Sequence, residues 1–259
     1  MTDKLVVSRD GAVTTIAINR PRLRNAVDAE TMRALGEAVA ACGEDGATRA
    51  IVLTGVGGAF CSGADITVIA QPGATPEAAY RILEDYYHPA LLAVHASRWP
   101  VIAAVDGAAA GLGCDLALAC DIRLASARAQ FAELFIGVGL IPDGGGTWSL
   151  PRIVGLGRAL ELIFSGAPVG AEEARAIGLA SHVYPVDSFA ADVAAYAARL
   201  AAQAPLALTR IRQAVRGAQD LSFAEALARE AQLQGEILRS PDGLEGFRAF
   251  LEKRKPRWK

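Results

Sequence analysis

The chain has 259 residues, of which 52% are apolar and 21% charged, and its formal net charge is -2. This length and composition allow a well-buried core. The near-neutral charge argues against nucleic acid as a partner, because no basic block is large enough to follow a phosphate backbone. No apolar run reaches the roughly 18 residues that a membrane span needs, and we expect no signal peptide.

The spacing of cysteine and histidine bears on compartment and metal binding. The four cysteines include no CxxC pair, and the three histidines form no paired ligand motif. In a chain of this size, such isolated cysteines are typical of small apolar core residues rather than of a disulfide framework. We therefore expect reduced cysteines, a cytoplasmic protein and no metal site.

The first half of the chain alternates predicted strands with predicted helices. Alternating apolar residues on both sides of Asp10 and Gly11 predict a hairpin. Asp28 is expected to cap a helix that ends near Gly43. The next predicted elements are a strand over 50–54, a helix over roughly 76–97, a strand over 100–105, a helix through 116 and 119, and a strand over 121–125.

The second half is mainly helical by its periodicity. From about residue 145 onward, apolar residues recur at helical spacing and strands nearly stop. Strand, glycine-rich turn and helix in repeated order predict an α/β fold with mainly parallel, buried strands. We place a core at residues 1–195 and a C-terminal helical region at residues 196–259, which packs on its own subunit or reaches a neighbour.

Two glycine-rich loops each follow a predicted buried strand, at residues 58–66 and 107–115. Glycine lets a backbone approach a ligand closely, and a helix N-terminus favours negative charge. Two backbone N–H groups that converge on one oxygen form an oxyanion hole, although each loop alone also fits an ordinary tight turn. Gly111 and Gly113 miss the spacing of a dinucleotide fingerprint, and Ser62 lacks the GxSxG context of a nucleophile.

In their order and spacing, six segments make the chain resemble the crotonase superfamily, the enoyl-CoA hydratase/isomerase family. These segments are 19–26, 58–66, 104–122, 139–147, 178–180 and 250–254. The resemblance implies a spiral of ββα turns with a C-terminal helical region for oligomerisation, assembled as homotrimers or hexamers. It also implies acyl-CoA thioester substrates, with no cofactor other than the CoA that is part of the substrate.

The resemblance also implies roles for particular residues. By position, the oxyanion-hole donors would be the amides of Ser62 and Leu112. The backbone of residues 64–66 would face the adenine, and Lys253 in the basic tail would help to hold CoA phosphates, from its own or a neighbouring subunit. The other residues that would contact CoA or the acyl group are Arg22, Leu23, Arg24, Ala26, Gly63, Ala64, Asp65, Ile66, Gly111 and Phe135.

Carboxylates decide which reaction the resemblance implies. Hydratases of the family use two glutamates, and here these positions hold Asp115 and Phe135. Phe135 cannot transfer a proton. Glu133 is two residues away, nearly 7 Å along an extended chain, so it replaces the missing group only if the local backbone is not extended.

Asp143 is the residue that favours an isomerase. The segment 140–143 resembles the isomerase branch, above all the ring-epoxide isomerases of phenylacetyl-CoA breakdown, where an aspartate in this motif shuttles protons. Phe135 nearby would raise the pKa of Asp143 by desolvation. The plainer interpretations are a turn residue after a proline for Asp143 and a helix-dipole partner for Asp115.

Several alternatives remain open at the sequence level. A hydratase could use Asp115 with Glu133 or Asp143, and a non-catalytic scaffold could keep the fold alone. A dienoyl-CoA isomerase would need a glutamate at Phe135, and a dehalogenase would need a histidine where Leu92 stands. We expect an enoyl-CoA isomerase with Asp143 as its proton carrier.

Overall fold

The computed structural model describes residues 3–67 and 75–258, and its strands form two sheets. The strands are β1 Leu5–Asp10, β2 Val13–Ile18, β3 Ala50–Gly55, β4 Val101–Val105, β5 Ala108–Ala110, β6 Ile122–Ser126, β7 Gln130–Ala132, β8 Val169–Gly170 and β9 His182–Tyr184. The larger sheet has the order β1-β2-β3-β4-β6-β9, and the smaller one β5-β7-β8. Only β1 pairs antiparallel in the larger sheet, so the predicted hairpin and the mainly parallel sheet are confirmed.

Helices connect these strands and cover the sheets. They are α1 Ala29–Glu44, α2 Pro76–Ile82, α3 His88–His95, α4 Leu112–Ala119, α5 Gly146–Val154, α6 Leu156–Ser165, α7 Ala171–Ala176, α8 Phe189–Ala201, α9 Pro205–Gly217, α10 Phe223–Leu238 and α11 Pro241–Leu251. The predicted cap of α1 is confirmed, since the Asp28 carboxylate accepts from the Thr31 amide at 2.9 Å. The long helix predicted at 76–97 is present, with a π-helical turn at Leu83–Tyr87 between α2 and α3.

The core has two parts, one on each face of the larger sheet. Apolar side chains of α1, α3 and α4 pack on one face, and α8 covers the other, where Val193 and Ala197 meet strand residues such as Ile102. Every residue of β4 is buried, as a strand covered on both faces requires. Among the described residues, no helix combines the length and apolar character that crossing a bilayer demands.

Two sequence-based boundaries change in the structure. Ala108–Ala110, expected as part of a turn, is the short strand β5, because it pairs in parallel with β7. The boundary at residue 195 falls inside α8, whose residues on both sides of that point pack on the sheet. The division of the chain into a core and a C-terminal helical region stays a prediction.

Partly buried arginines attach α9, in the C-terminal region, to its own subunit. Arg212 and Arg216 on α9 both bind the carboxylate of Asp121, each at 2.8 Å. Arg212 also donates to the carbonyl of His95 at 2.8 Å. By contrast, α10 and α11 leave large apolar side chains exposed, including Phe223 and Phe250, and their use in oligomerisation stays a prediction.

Candidate active site

The two glycine-rich loops lie side by side because their backbones pair. Cys61 and Ala109 form a parallel bridge, and the Ala110 amide donates to the Cys61 carbonyl at 3.0 Å. A Cβ at Gly113 would lie 2.1 Å from the Cys61 carbonyl oxygen, far inside contact distance. Gly113 is therefore required for the start of α4 to approach the first loop this closely.

The amide of Ser62 is already used within the chain. It donates to the Arg24 carbonyl at 3.1 Å, and the Ser62 hydroxyl donates to the Leu23 carbonyl at 3.1 Å. This corrects the assignment of Ser62 as an oxyanion-hole donor, because an N–H that is bonded to a carbonyl in the loop offers nothing to a ligand. The sequence carried no sign of this pairing between residues 62 and 24.

The amides of Ala64 and Leu112 are the ones that remain available. Neither donates to an acceptor within residues 3–67 and 75–258. A Cβ at Gly63 would lie 3.8 Å from the Leu112 nitrogen, which places the two segments in contact. Leu112 is the first residue of α4, following Gly111 with its φ of +51°, so its N–H lies at the positive end of the helix dipole. Together these two amides can bind an oxyanion.

Asp115, one turn further along α4, holds the loop that carries Asp143. Its Oδ2 accepts from the Gly144 amide at 2.8 Å. A Cβ at Gly144 would lie 2.7 Å from the Leu112 side chain, so this loop packs directly on the residue that offers the amide. The structure thus brings Asp115, Asp143 and Leu112 together, as the sequence predicted.

The Asp143 side chain is half-buried, and that burial raises its pKa above the ordinary value, against an opposing effect of His88. His88 Nε2 lies 3.0 Å from the Asp143 carbonyl oxygen and fixes the loop from the α3 side. The Tyr87 hydroxyl donates to the Val27 carbonyl at 3.1 Å. Burial, together with nearby carboxylates that include Asp65 and Asp143, raises the pKa of Tyr87 to about 12. Asp143 therefore lies in a partly buried position beside α3.

Phe135 supplies an apolar wall to the same site. It is buried in the short 3₁₀ helix Leu134–Val138, and its ring lies 3.9 Å from the position a Cβ would take at Gly111. The family's hydratases have their second glutamate at this position, and here the Phe135 ring lies there, beside Gly111. This ring helps to exclude water from the site.

Glu133 is buried next to Phe135, and the condition under which it could replace the missing group, a backbone that is not extended, is met. Its backbone, with φ -89° and ψ 77°, is not extended, because the 3₁₀ helix begins at the next residue. Burial raises the pKa of Glu133 to about 7, although the Cys114 and Asp115 side chains oppose that rise. Burial and the nearby Glu133 also raise the pKa of Asp115 well above its ordinary value. The site therefore contains three carboxyl groups rather than two.

The residues expected at a CoA entrance lie on one side of the first loop. Arg22, Leu23 and Arg24 are exposed next to Ser62, and Ile66 is exposed at 65%. Ala26 lies on this segment too, and its carbonyl accepts from Arg20 at 2.6 Å. The structure does not bring every predicted residue here. Lys253 is exposed after α11, and none of the hydrogen bonds or ion pairs of the described residues connects it to this entrance.

Two residues that position the entrance were missed as site residues. Arg20 Nη2 binds the Asp65 carboxylate at 2.8 Å, which fixes the segment after Ala64. Asn25, fully buried with a φ of 60°, donates from Nδ2 to the carbonyls of Val56 at 2.9 Å and Ala59 at 2.7 Å. The sequence shows Asn25 within the segment 19–26 that carries the family resemblance. It does not show that the side chain of Asn25 binds carbonyl groups more than 30 residues away.

Replacing Asn25 with alanine is expected to lower the free energy of unfolding by about 3 kcal/mol, because it removes a fully buried side chain and leaves two partly buried carbonyl groups without their donor. Urea denaturation measures the change. The matched control is Asn19→Ala, whose side chain bonds the Asp3 carbonyl in an exposed position and should cost less than about 1 kcal/mol. Equal losses in both variants would show that the buried asparagine has no special role.

The chain is similar to known proteins over nearly its whole length. The family model described as "Enoyl-CoA hydratase/isomerase" matches residues 8–259. The chain is 41% identical over 244 residues to "Probable enoyl-CoA hydratase" of Rhodobacter capsulatus, covering 94% of this chain and 93% of that protein. It is 36% identical over 248 residues to "1,2-epoxyphenylacetyl-CoA isomerase" of Escherichia coli, covering 95% and 94%.

Solved structures agree in fold as well. The crystal structure of an enoyl-CoA hydratase from Bacillus anthracis matches with a TM-score of 0.95 at 32% identity, covering 99% of both chains. An enoyl-CoA hydratase from Polaromonas sp. JS666 matches with a TM-score of 0.94 at 34% identity, covering 98% of this chain and 99% of that one. The predicted crotonase-type spiral with a helical C-terminal region is confirmed.

Proposed function

This chain belongs to the enoyl-CoA hydratase/isomerase family, and from that premise we propose that it is an isomerase. Its substrate is an acyl-CoA thioester, on which it moves a double bond or rearranges an unsaturated ring. The observation that carries the proposal is the half-buried Asp143, whose pKa burial raises, on a loop packed against Leu112. The similarity to an epoxyphenylacetyl-CoA isomerase supports the same reaction class.

The chemistry needs an oxyanion site and one mobile proton. A proton next to a thioester carbonyl is only weakly acidic, so the enolate oxygen must be stabilised as the proton leaves. The free amides of Ala64 and Leu112 are suited to that task, and each such donor typically contributes about 3 to 4 kcal/mol to lowering the barrier. Asp143 then takes the proton from one carbon and returns it to another on the same face.

The remaining predicted residues fit substrate binding. We assign the exposed segment of residues 22–24 to the CoA entrance, and the backbone around Ala64 and Asp65 to the adenine. Phe135 and Gly111 would then face the acyl group. Within one subunit, no described hydrogen bond or ion pair connects Lys253 to this entrance. We therefore assign the Lys253 that contacts the CoA phosphates to a neighbouring subunit in a homotrimer or hexamer.

A hydratase is the second candidate, because several relatives carry hydratase names and because Asp115 lies beside Glu133. Two features weigh against it. Asp115 Oδ2 is occupied by the Gly144 amide, and Glu133 is only 3% exposed. A water-activating pair would need at least one of these carboxylates to face the substrate.

Isotope labelling separates the two reactions. The protein is incubated with 2-enoyl-, 3-enoyl- and ring-epoxide CoA thioesters in deuterated water that contains ¹⁸O, and the products are analysed by mass spectrometry. We expect deuterium in an isomerised product without ¹⁸O, since the proton carrier exchanges with solvent but no water is added. Incorporation of ¹⁸O with a gain of one water would establish the hydratase instead.

A further inference from the structure

A second carboxyl cluster lies behind the start of α5. A Cβ at Gly146 would lie 2.2 Å from Asp115 Oδ1 and 3.1 Å from Glu133 Oε1, so these two oxygens flank the same glycine. Asp115 is 1% exposed and Glu133 is 3% exposed. Asp115 Oδ1 and both carboxylate oxygens of Glu133 accept no well-formed hydrogen bond from the described residues, and the closest side chains to Glu133 are those of Cys114 and Asp115, which oppose the rise in its pKa.

Two ionised carboxylates cannot remain in this place without a large cost. An unpaired buried charge loses its hydration, and a second like charge close to it adds repulsion. A proton on one of the two groups removes one charge and supplies the hydrogen-bond donor that the unpartnered oxygens lack. Pairs of this kind titrate together rather than as separate residues.

We propose that Asp115 and Glu133 share one proton in mildly acidic solution and lose it near neutral pH, and that they act as a positioning pair for the loop that carries Asp143. The shared proton satisfies Asp115 Oδ1, while Oδ2 accepts from the Gly144 amide at 2.8 Å. Since Gly144 follows Asp143 directly and packs on Leu112, the pair sets the distance between the proton carrier and the oxyanion site.

The pair also limits the negative charge close to Asp143. The titratable groups around the Asp115–Glu133 pair are Cys114 on α4, Asp143 in the loop before α5, and His88 on α3, which lies beyond Asp143. Burial raises the pKa of the Cys114 thiol well above its ordinary value, so Cys114 stays neutral. With one proton on the pair, Asp143 is influenced by a single neighbouring charge. Loss of that proton would raise the pKa of Asp143 further.

The sign of the pH effect on stability follows from the raised pKa of Glu133, which is about 7. A carboxyl group with a raised pKa in the folded state binds its proton more tightly there than in the unfolded chain. Its contribution is therefore fully present below the ordinary pKa of glutamate, and it is lost as pH rises through about 7. Glu133→Gln keeps a neutral side chain of similar shape, so it should remove this loss.

The proton itself can be observed without substrate. Infrared difference spectra of the free protein in D₂O, recorded between pH 5 and pH 9, report the C=O stretch of a protonated carboxylic acid. We expect that band at pH 6 in the wild type and in the exposed control Glu161→Gln. It should be absent in Glu133→Gln and disappear in the wild type with a midpoint near pH 7. Absence of the band from the wild type at pH 6 would overturn proton sharing.

The positioning role rests on the proposed isomerase function, and a kinetic measurement tests it separately. Glu133→Gln should lower kcat by about tenfold, a common effect for residues that act through a catalytic group, with KM little changed. It should also remove an inflection near pH 7 from the pH profile of kcat, while Glu161→Gln keeps that inflection.

A Glu133→Gln profile identical to that of the wild type would refute positioning, and complete loss of turnover would make Glu133 a proton carrier itself. The infrared band in a protein without isomerase activity would instead refute the proposed function alone.

Discussion

Replacing Asp143 with asparagine is expected to lower kcat for double-bond migration by about 1,000-fold, while KM changes by less than about threefold. Asparagine has nearly the same shape and keeps the loop packed on Leu112, but it cannot accept a proton from carbon. The effect should therefore fall on the chemical step and not on binding. Steady-state kinetics with the 3-enoyl- or ring-epoxide CoA thioester that the wild type turns over measures both constants.

Two further variants make this result specific. Asp187→Asn removes a carboxylate from an exposed position away from the site and should leave both constants unchanged. Asp143→Glu restores a base at the wrong distance, and we expect it to recover part of the activity. If Asp143→Asn kept more than about a tenth of wild-type kcat, proton transfer would have to be assigned to another group.

Replacing Gly113 with alanine should lower kcat/KM by about 100- to 1,000-fold, on the scale of losing one oxyanion-hole donor. The added methyl group would lie 2.1 Å from the Cys61 carbonyl oxygen, so the two loops must separate. Because Leu112 precedes Gly113, that separation moves the Leu112 amide away from Ala64. Kinetic measurements on the same substrates test the expectation, and circular dichroism checks that the variant is folded.

The control for this experiment is Gly157→Ala in α6. A Cβ at Gly157 meets nothing within 4 Å, and alanine is the better helix former, so stability should rise slightly and kcat/KM should not change. A Gly113→Ala protein that is folded and as active as the Gly157→Ala protein would show that close contact between the loops is not needed for catalysis.

The order of the elements could be predicted well from the sequence. Apolar alternation on both sides of Gly11 and the carboxylate cap at Asp28 are local patterns, and both are confirmed in the structure. The strand Ala108–Ala110 was missed because three alanines between glycines carry no alternation, and their pairing partners, β7 and Cys61, belong to other segments of the chain. The predicted division at residue 195 cuts through α8, because the alanine-rich face of this helix shows its partner, the sheet, only in three dimensions.

The site was predicted less completely, and for a physical reason. The resemblance pointed to Leu112 and Asp143, which the structure brings into contact through Gly144. It also pointed to Ser62, but which amide of a loop remains free depends on pairing with another segment, here with Arg24. The same limit applies to Glu133, whose inward position depends on where a 3₁₀ helix begins.

The most direct test of the central claim is the infrared frequency of the substrate's thioester carbonyl, labelled with ¹³C, in complex with the protein. Two amides that bind this oxygen should polarise the carbonyl and shift its stretch to lower frequency than in water. We predict that shift in the wild type and in Asp143→Asn, and a much smaller one in Gly113→Ala. A wild-type complex in which the carbonyl absorbs at its aqueous frequency would contradict the oxyanion site formed by Ala64 and Leu112.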